Sequence, residues 1–215
     1  MTTDAISVVL VDDHPALRMG LRIMLEQAPD IRVVAEAGTG EEALAQIQAL
    51  RPDVAVLDCQ LPGMSGTEVA AEVRRLGLPV RVLALSAYTD DQVIQGMIQA
   101  GAVGYLLKEE APAAIVDAVR AAARGEGRWS AAVASKLAAW SVHPPTAEPG
   151  SDLTEREIDV LRLLARGWDN HRIGKELHIS ERTVRFHLRN IYDKIGAQTR
   201  AEAAVWAVHQ GLDKG

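Results

Sequence analysis

The chain has 215 residues, 48% of them apolar and 24% charged, with a net charge of −6. That length suits one large domain or two small ones, and no apolar run approaches the roughly 18 residues of a membrane span. A single cysteine, Cys59, excludes an intrachain disulfide and fits a reducing compartment, while "MTTDAIS" lacks the basic-then-apolar order of a secretory leader, so a cytoplasmic protein is expected. The charge is unevenly spread. Residues 1–150 carry 12 Lys and Arg against 19 Asp and Glu, and residues 151–215 carry 11 against 10. Such a division points to two units with different partners.

Through the first 124 residues short β-branched runs alternate with helical patterns. Strands are predicted at 7–11, 32–36, 53–57, 80–85 and 104–107, and helices near 15–27, 41–50, 66–76, 90–100 and 111–124. Five strand–helix units predict an α/β fold, a five-stranded doubly wound parallel sheet with helices on both faces. The third strand, and most of the first and fourth, run apolar, as a sheet covered on both sides requires.

Polar residues collect where those strands end. Asp12 and Asp13 follow the first, Asp58 the third, Ser86 the fourth and Lys108 the fifth. In a doubly wound sheet these ends share one edge, the carboxyl edge at which ligands bind. Oxygen ligands without His or Cys suit a hard cation, and Mg2+ is its natural identity. Such an ion would relieve the repulsion between Asp12 and Asp13. Beside it Asp58 could attack a phosphoryl group and become an aspartyl phosphate. Lys108 and the Ser86 hydroxyl would hold the phosphoryl oxygens. There is no Gly-rich phosphate loop, so a nucleotide is not the expected ligand.

Together, "LVDDHPALR", "VAVLDCQLPGMSG", "ALSAY" and "GAVGYLLK" resemble the receiver domain of bacterial two-component response regulators, across residues 6–124. The resemblance implies a flavodoxin-like (CheY-like) sheet with Asp58 as phosphoacceptor. It implies Mg2+ held by Asp12, Asp13, Asp58 and the backbone carbonyl of Gln60. Ser86 and Tyr105 match the pair that reorients on phosphorylation, Lys108 matches the lysine that contacts the phosphoryl group, and a histidine kinase is the implied donor. Two positions depart from common receivers. Glu109 follows Lys108 where many receivers have a proline, which leaves the isomer of that peptide open. Tyr88, two residues past Ser86, is bulky enough to shield an acyl phosphate, so slow dephosphorylation is expected.

Residues 125–150 read as a linker. "WSAAVASKLAAW" (129–140) forms a short helix bracketed by Trp129 and Trp140, and the proline-rich "SVHPPTAEPGSD" (141–152) has no periodicity. Beyond it, "LTEREIDVLRLLARG" opens with a capping box of Thr154 and Glu157. "NHRIGKELHIS" gives a second helix, and Ser180 caps "ERTVRFHLRNIYDKIG". In that third helix Val184, Leu188, Ile191 and Ile195 make a core stripe, with Arg182, Arg185 and Arg189 on the solvent side. An arginine-bearing helix in a tight helix–turn–helix suits the DNA major groove. His171, His178 and His187 lack metal-ligand spacing, so zinc is not expected.

"LTERE", "ISERTVRFHLRNIYDKIG" and "RAEAAVWAV" resemble the all-α, four-helix DNA-binding domain of LuxR-type regulators, the NarL/FixJ family, across 151–213. The resemblance implies Arg185, Phe186 and Arg189 as base-facing positions. It leaves Arg182, Thr183, His187 and Lys194 to phosphate contact or packing, and makes Ala203, Ala204, Val205 and Val208 a dimerisation surface. The expected protein is a phosphorylation-controlled transcription factor and not an enzyme. It would comprise a receiver at 1–124, a linker at 125–150 and a DNA-binding domain at 151–215. Its partners would be a histidine kinase, a double-stranded DNA operator and a second copy of itself, with no membrane. An Mg2+-dependent phosphatase is disfavoured because "LDCQ" lacks the second Asp of an Asp-x-Asp motif. A regulator indifferent to phosphate is disfavoured by the intact acidic set.

Overall fold

The computed structural model describes residues 5–87, 89–142 and 153–212, and the chain divides into two units, Met1–Val142 and His143–Gly215. In the first, strands and helices alternate: β1 (Ile6–Val11), α1 (Pro15–Glu26), β2 (Ile31–Ala37), α2 (Gly40–Leu50), β3 (Val54–Asp58) and α3 (Gly66–Arg75). There follow β4 (Arg81–Ser86), α4 (Asp91–Gln99), β5 (Gly104–Leu107), α5 (Pro112–Ala123), β6 (Arg128–Trp129) and α6 (Ala131–Val142). The sheet order is β2-β1-β3-β4-β5-β6, parallel at every pairing. The chain therefore reverses its direction of winding between β1 and β3. That switch point opens a crevice at their carboxyl ends.

Every residue of β3 is buried, the signature of a strand covered on both faces. Val8, Leu10, Val54, Val56, Leu83 and Leu85 pack against Leu21 and Leu25 of α1 and Ile115 and Val119 of α5. Helix α3 starts with a capping box, Ser65 with Glu68. Its first residue must be small, because a Cβ on Gly66 would lie 2.1 Å from the Asp58 carbonyl oxygen. The start of α3 is thus pressed onto the end of β3.

The sheet has six strands, which corrects the expected five. β6 lies inside the segment read as linker and pairs with β5, Gly104 opposite Arg128 and Tyr105 opposite Trp129. Two residues carry no detectable periodicity. The requirement shows instead at Gly104, where a Cβ would sit 2.4 Å from the Arg128 carbonyl oxygen.

The second unit is all helix among its described residues: α7 (Glu155–Ala165), α8 (Asn170–Leu177), α9 (Glu181–Ile195) and α10 (Arg200–His209). Side-chain caps start each one, from Thr154, Asp169, Ser180 and Thr199, satisfying N–H groups that a helix start otherwise leaves unpaired. His178, left-handed at φ 54°, closes α8. Val160, Leu161, Leu164, Ile173, Val184, Leu188 and Ile191 form the core with Ala203 and Ala207.

Candidate functional site

The strand ends meet as the sequence predicts. Asp12 leaves β1 fully buried and Asp58, closing β3, is 4% exposed. The Lys108 ammonium at the end of β5 lies 2.6 Å from Asp12 Oδ2 and 2.9 Å from Asp58 Oδ2. Two like charges can therefore share this crevice because a cation sits between them. Asp12 is fixed from both sides: its Oδ1 accepts the His14 N–H at 2.8 Å, and its carbonyl accepts from the Arg18 guanidinium. The Gln60 N–H donates to Asp58 Oδ1 at 3.0 Å. Donor atoms of Asp12, Asp13, His14 and Asp58 all lie within 4.8 Å of one another.

Electrostatics follow from this geometry. Burial pushes the Asp58 carboxyl above the usual carboxylate range, outweighing the attraction of Lys108 and the Gln60 N–H. For Lys108 burial acts to lower the pKa, but Asp58 and Asp12 together outweigh it and hold the ammonium above its ordinary value. The site is a compact, nearly dry set of charges.

Ser86 and Tyr105 are both buried. The registers Leu57↔Ala84 and Ala84↔Tyr105 place Cys59, Ser86 and Tyr105 on one face of the sheet, since alternate residues share a face. Their side chains hydrogen-bond one another. Cys59 is buried, and burial pushes its thiol well above the ordinary cysteine range, which disfavours the reactive thiolate. The described residues contain no cis peptide bond, so Lys108–Glu109 is trans. Tyr88 lies outside the described residues. Arg18 and His14 were not singled out in the sequence. Their signal was position, since Pro15 starts α1 and carries both beside the end of β1.

On α9, Arg185 and Arg189 are exposed and Phe186 is half-buried. Arg185 pairs with Glu181 one turn earlier at 3.7 Å. The side chain of Arg182 is outside the described set. Thr183 and His187, read as phosphate contacts or packing residues, are both buried, so the fold points them inward. The reason is in the spacing: position 187 lies three after Val184 and four before Ile191, on the flank of the core stripe. Lys194 likewise turns to the protein, its Nζ 2.9 Å from an oxygen of the buried Glu157. Ala203 is fully buried in the core and cannot line a surface. Of the expected dimerisation residues, Val205 and Val208 are exposed, and Ala204 is half-buried against the core.

No described helix is long and apolar enough to cross a membrane. Residues 8–120 match the response regulator receiver domain family, and residues 151–207 match the bacterial regulatory proteins of the luxR family. The chain is 40% identical over 203 residues to the transcriptional regulatory protein LiaR of Bacillus subtilis (strain 168), covering 94% of this chain and 96% of LiaR. It is 38% identical over 206 residues to the nitrate/nitrite response regulator protein NarL of Escherichia coli (strain K12), covering 95% of each. Among solved structures it resembles response regulator ChrA of a haem-sensing two-component system, 38% identical with a TM-score of 0.54, over 97% of this chain and 98% of ChrA. It also resembles the NarL signal receiver domain from Mycobacterium tuberculosis, 43% identical with a TM-score of 0.56, over 57% of this chain and 99% of that domain. Both halves match in the order that the sequence predicts, and the chain belongs to the LuxR-type (NarL/FixJ) two-component response regulators, transcription regulators that join a receiver to a DNA-binding helix–turn–helix.

Proposed function

We propose that this regulator is switched by Mg2+-dependent transfer of a phosphoryl group from the phosphohistidine of a histidine kinase to Asp58, and that the phosphorylated chain binds its DNA operator as a dimer. The observation that carries this reading is the Lys108 ammonium clasped between the buried carboxylates of Asp12 and Asp58 at 2.6 and 2.9 Å. A chain rarely buries three charges together without chemistry to perform there. The donor set fits the ion, with carboxylate oxygens from Asp12, Asp13 and Asp58 in reach of one another and the Gln60 carbonyl offered by the resemblance. Bound there, the ion would neutralise the carboxylates and the charge on the transferring phosphoryl oxygens.

The residues have distinct tasks. One Asp58 oxygen is oriented by the Gln60 N–H; the other, facing Lys108, is the nucleophile. Its attack forms the O–P bond as the P–N bond to the kinase histidine breaks. Lys108 and the Ser86 hydroxyl then hold phosphoryl oxygens, and the Ser86–Tyr105 pair shifts the receiver toward its active arrangement. The receiver spans 1–124 and the DNA-binding domain 151–215, with Arg185, Phe186 and Arg189 facing bases and Val205 and Val208 facing a second copy. Phe186 suits contact with a thymine methyl. The site of action is the cytoplasm.

The test is oligomeric state and operator binding with Mg2+, with and without beryllofluoride as the phosphoryl mimic. Dimerisation and tighter binding in the wild type, both lost in Asp58→Asn, are expected. Identical behaviour of the two proteins would overturn the reading.

A further inference from the structure

The segment past α5 does not hang from the first unit; it is built into it at four points. β6 pairs with β5 at Gly104 and Tyr105, and the Ser130 N–H donates to the Tyr105 carbonyl at 2.9 Å. Val133 of α6 is fully buried. One turn on, the Lys136 ammonium pairs with Asp91, the first residue of α4. The segment therefore rests on the backbone of Tyr105 and on the start of α4.

Both supports border the same place. The Tyr105 side chain hydrogen-bonds Ser86, and α4 begins five residues after Ser86 closes β4. A rearrangement of Ser86 and Tyr105 acts directly on what α6 sits upon. α6 is also the last element of the first unit before the chain continues to the second. Its polar side-chain anchors are weak. The Lys136 and Asp91 side chains are 35% and 52% exposed, and exposed ion pairs contribute little. The Ser130 hydroxyl is buried without a hydrogen-bond partner among the described residues, which counts against the docked arrangement.

We propose that β6 and α6 form a relay, docked on Tyr105 and α4 while Asp58 is unphosphorylated and loosened when the Ser86–Tyr105 pair rearranges. Loosening frees the chain's exit toward the DNA-binding unit. The relay rests on the proposed function and adds to it the element that carries the signal out of the receiver.

The test uses the full chain with Mg2+, with and without beryllofluoride, and follows hydrogen exchange at residues 128–142 together with operator affinity. In the wild type, beryllofluoride is expected to speed exchange through 131–142. Lys136→Asp and Asp91→Lys each place like charges together. Each is expected to speed exchange and raise operator affinity of the unactivated chain about two- to fivefold, leaving the activated affinity unchanged. The double exchange restores an ion pair and wild-type behaviour. Ser130→Ala removes the unpaired hydroxyl and is expected to act in the opposite direction, slowing exchange and weakening the response. If beryllofluoride tightens operator binding in the wild type while exchange through 128–142 stays constant, the relay is overturned and the phosphorylation switch stands. If beryllofluoride leaves both oligomeric state and operator binding unchanged, the switch fails and the relay falls with it.

Discussion

Burial makes the negative charge on Asp58 costly, and Lys108 at 2.9 Å offsets that only in part, so its pKa in the fold lies above the ordinary carboxylate value. The sign of the stability effect follows. Below both the folded and the unfolded pKa, Asp58 is protonated in either state and carries no penalty. As pH rises through the folded value, the native state must ionise a buried group that water would ionise more easily, and stability falls. Asp58→Asn removes that penalty. Without metal at pH 7 the variant is expected to melt about 2–4 °C higher than the wild type, and the gap to close as pH is lowered through the carboxylate range. Adding Mg2+ is expected to reverse the order, because an ion held by the proposed acidic set would stabilise the native wild type by mass action and Asp58→Asn removes one of the proposed ligands. Thermal melts at the two pH values, with and without Mg2+, check all three statements. The wild type melting higher without metal at pH 7 would contradict the electrostatic account.

At the scale of elements, two close approaches hold the functional surfaces in place. The first is α3 against β3. Gly66→Ala would drive a methyl into the Asp58 carbonyl at 2.1 Å, and overpacking of this kind costs about 1–3 kcal/mol. Urea denaturation is expected to show that loss, together with slower labelling of Asp58 by a phosphodonor as α3 shifts away. The second is the pairing of α7 with α9 through Glu157 and Lys194. Lys194→Ala leaves the buried Glu157 carboxylate without its partly exposed cation, a loss of about 1–3 kcal/mol. In conditions where the variant stays folded, its salt dependence of DNA binding is expected to match the wild type, whereas a phosphate-contacting lysine would reduce the slope by about 1. The elements themselves were legible because their patterns are strong: β3 is apolar from Val54 to Leu57, and α9 carries its core stripe from Val184 to Ile195. The carboxyl edge was legible because a parallel sheet brings every strand end to one side. What escaped the sequence lacked a period or sat at its margin. β6 has two residues, His187 lies on the flank of a stripe, and Ala203 is buried by its four-residue spacing to Ala207, while Val205 and Val208 face out.

Across the whole molecule the charge is divided, with the acidic excess in residues 1–150 and near balance in 151–215. Part of the positive charge in the second unit is turned to the protein itself. Arg162 pairs with Asp159 and Lys194 with Glu157, Arg172 lies over the Trp168 ring at 3.9 Å, and Arg200 donates to Asn170 and to the Trp168 carbonyl. With 11 Lys and Arg against 10 Asp and Glu in 151–215, a single copy offers a phosphate backbone little net positive charge, and its non-specific affinity is expected to be modest. Counterion release makes the consequence measurable, since the slope of log affinity against log salt grows by about 0.9 for each phosphate neutralised. A dimer seated on two half-sites neutralises twice as many phosphates as a monomer on one. On a duplex carrying both half-sites, the beryllofluoride-activated chain is expected to give a slope about twice that of the unactivated chain between about 50 and 200 mM salt. On a duplex with one half-site the two slopes are expected to coincide, because only one copy can then be seated. Fluorescence anisotropy titrations on both duplexes make the comparison. Equal slopes on the full site, with affinity still raised by activation, would mean that phosphorylation frees a single DNA-binding unit without pairing two.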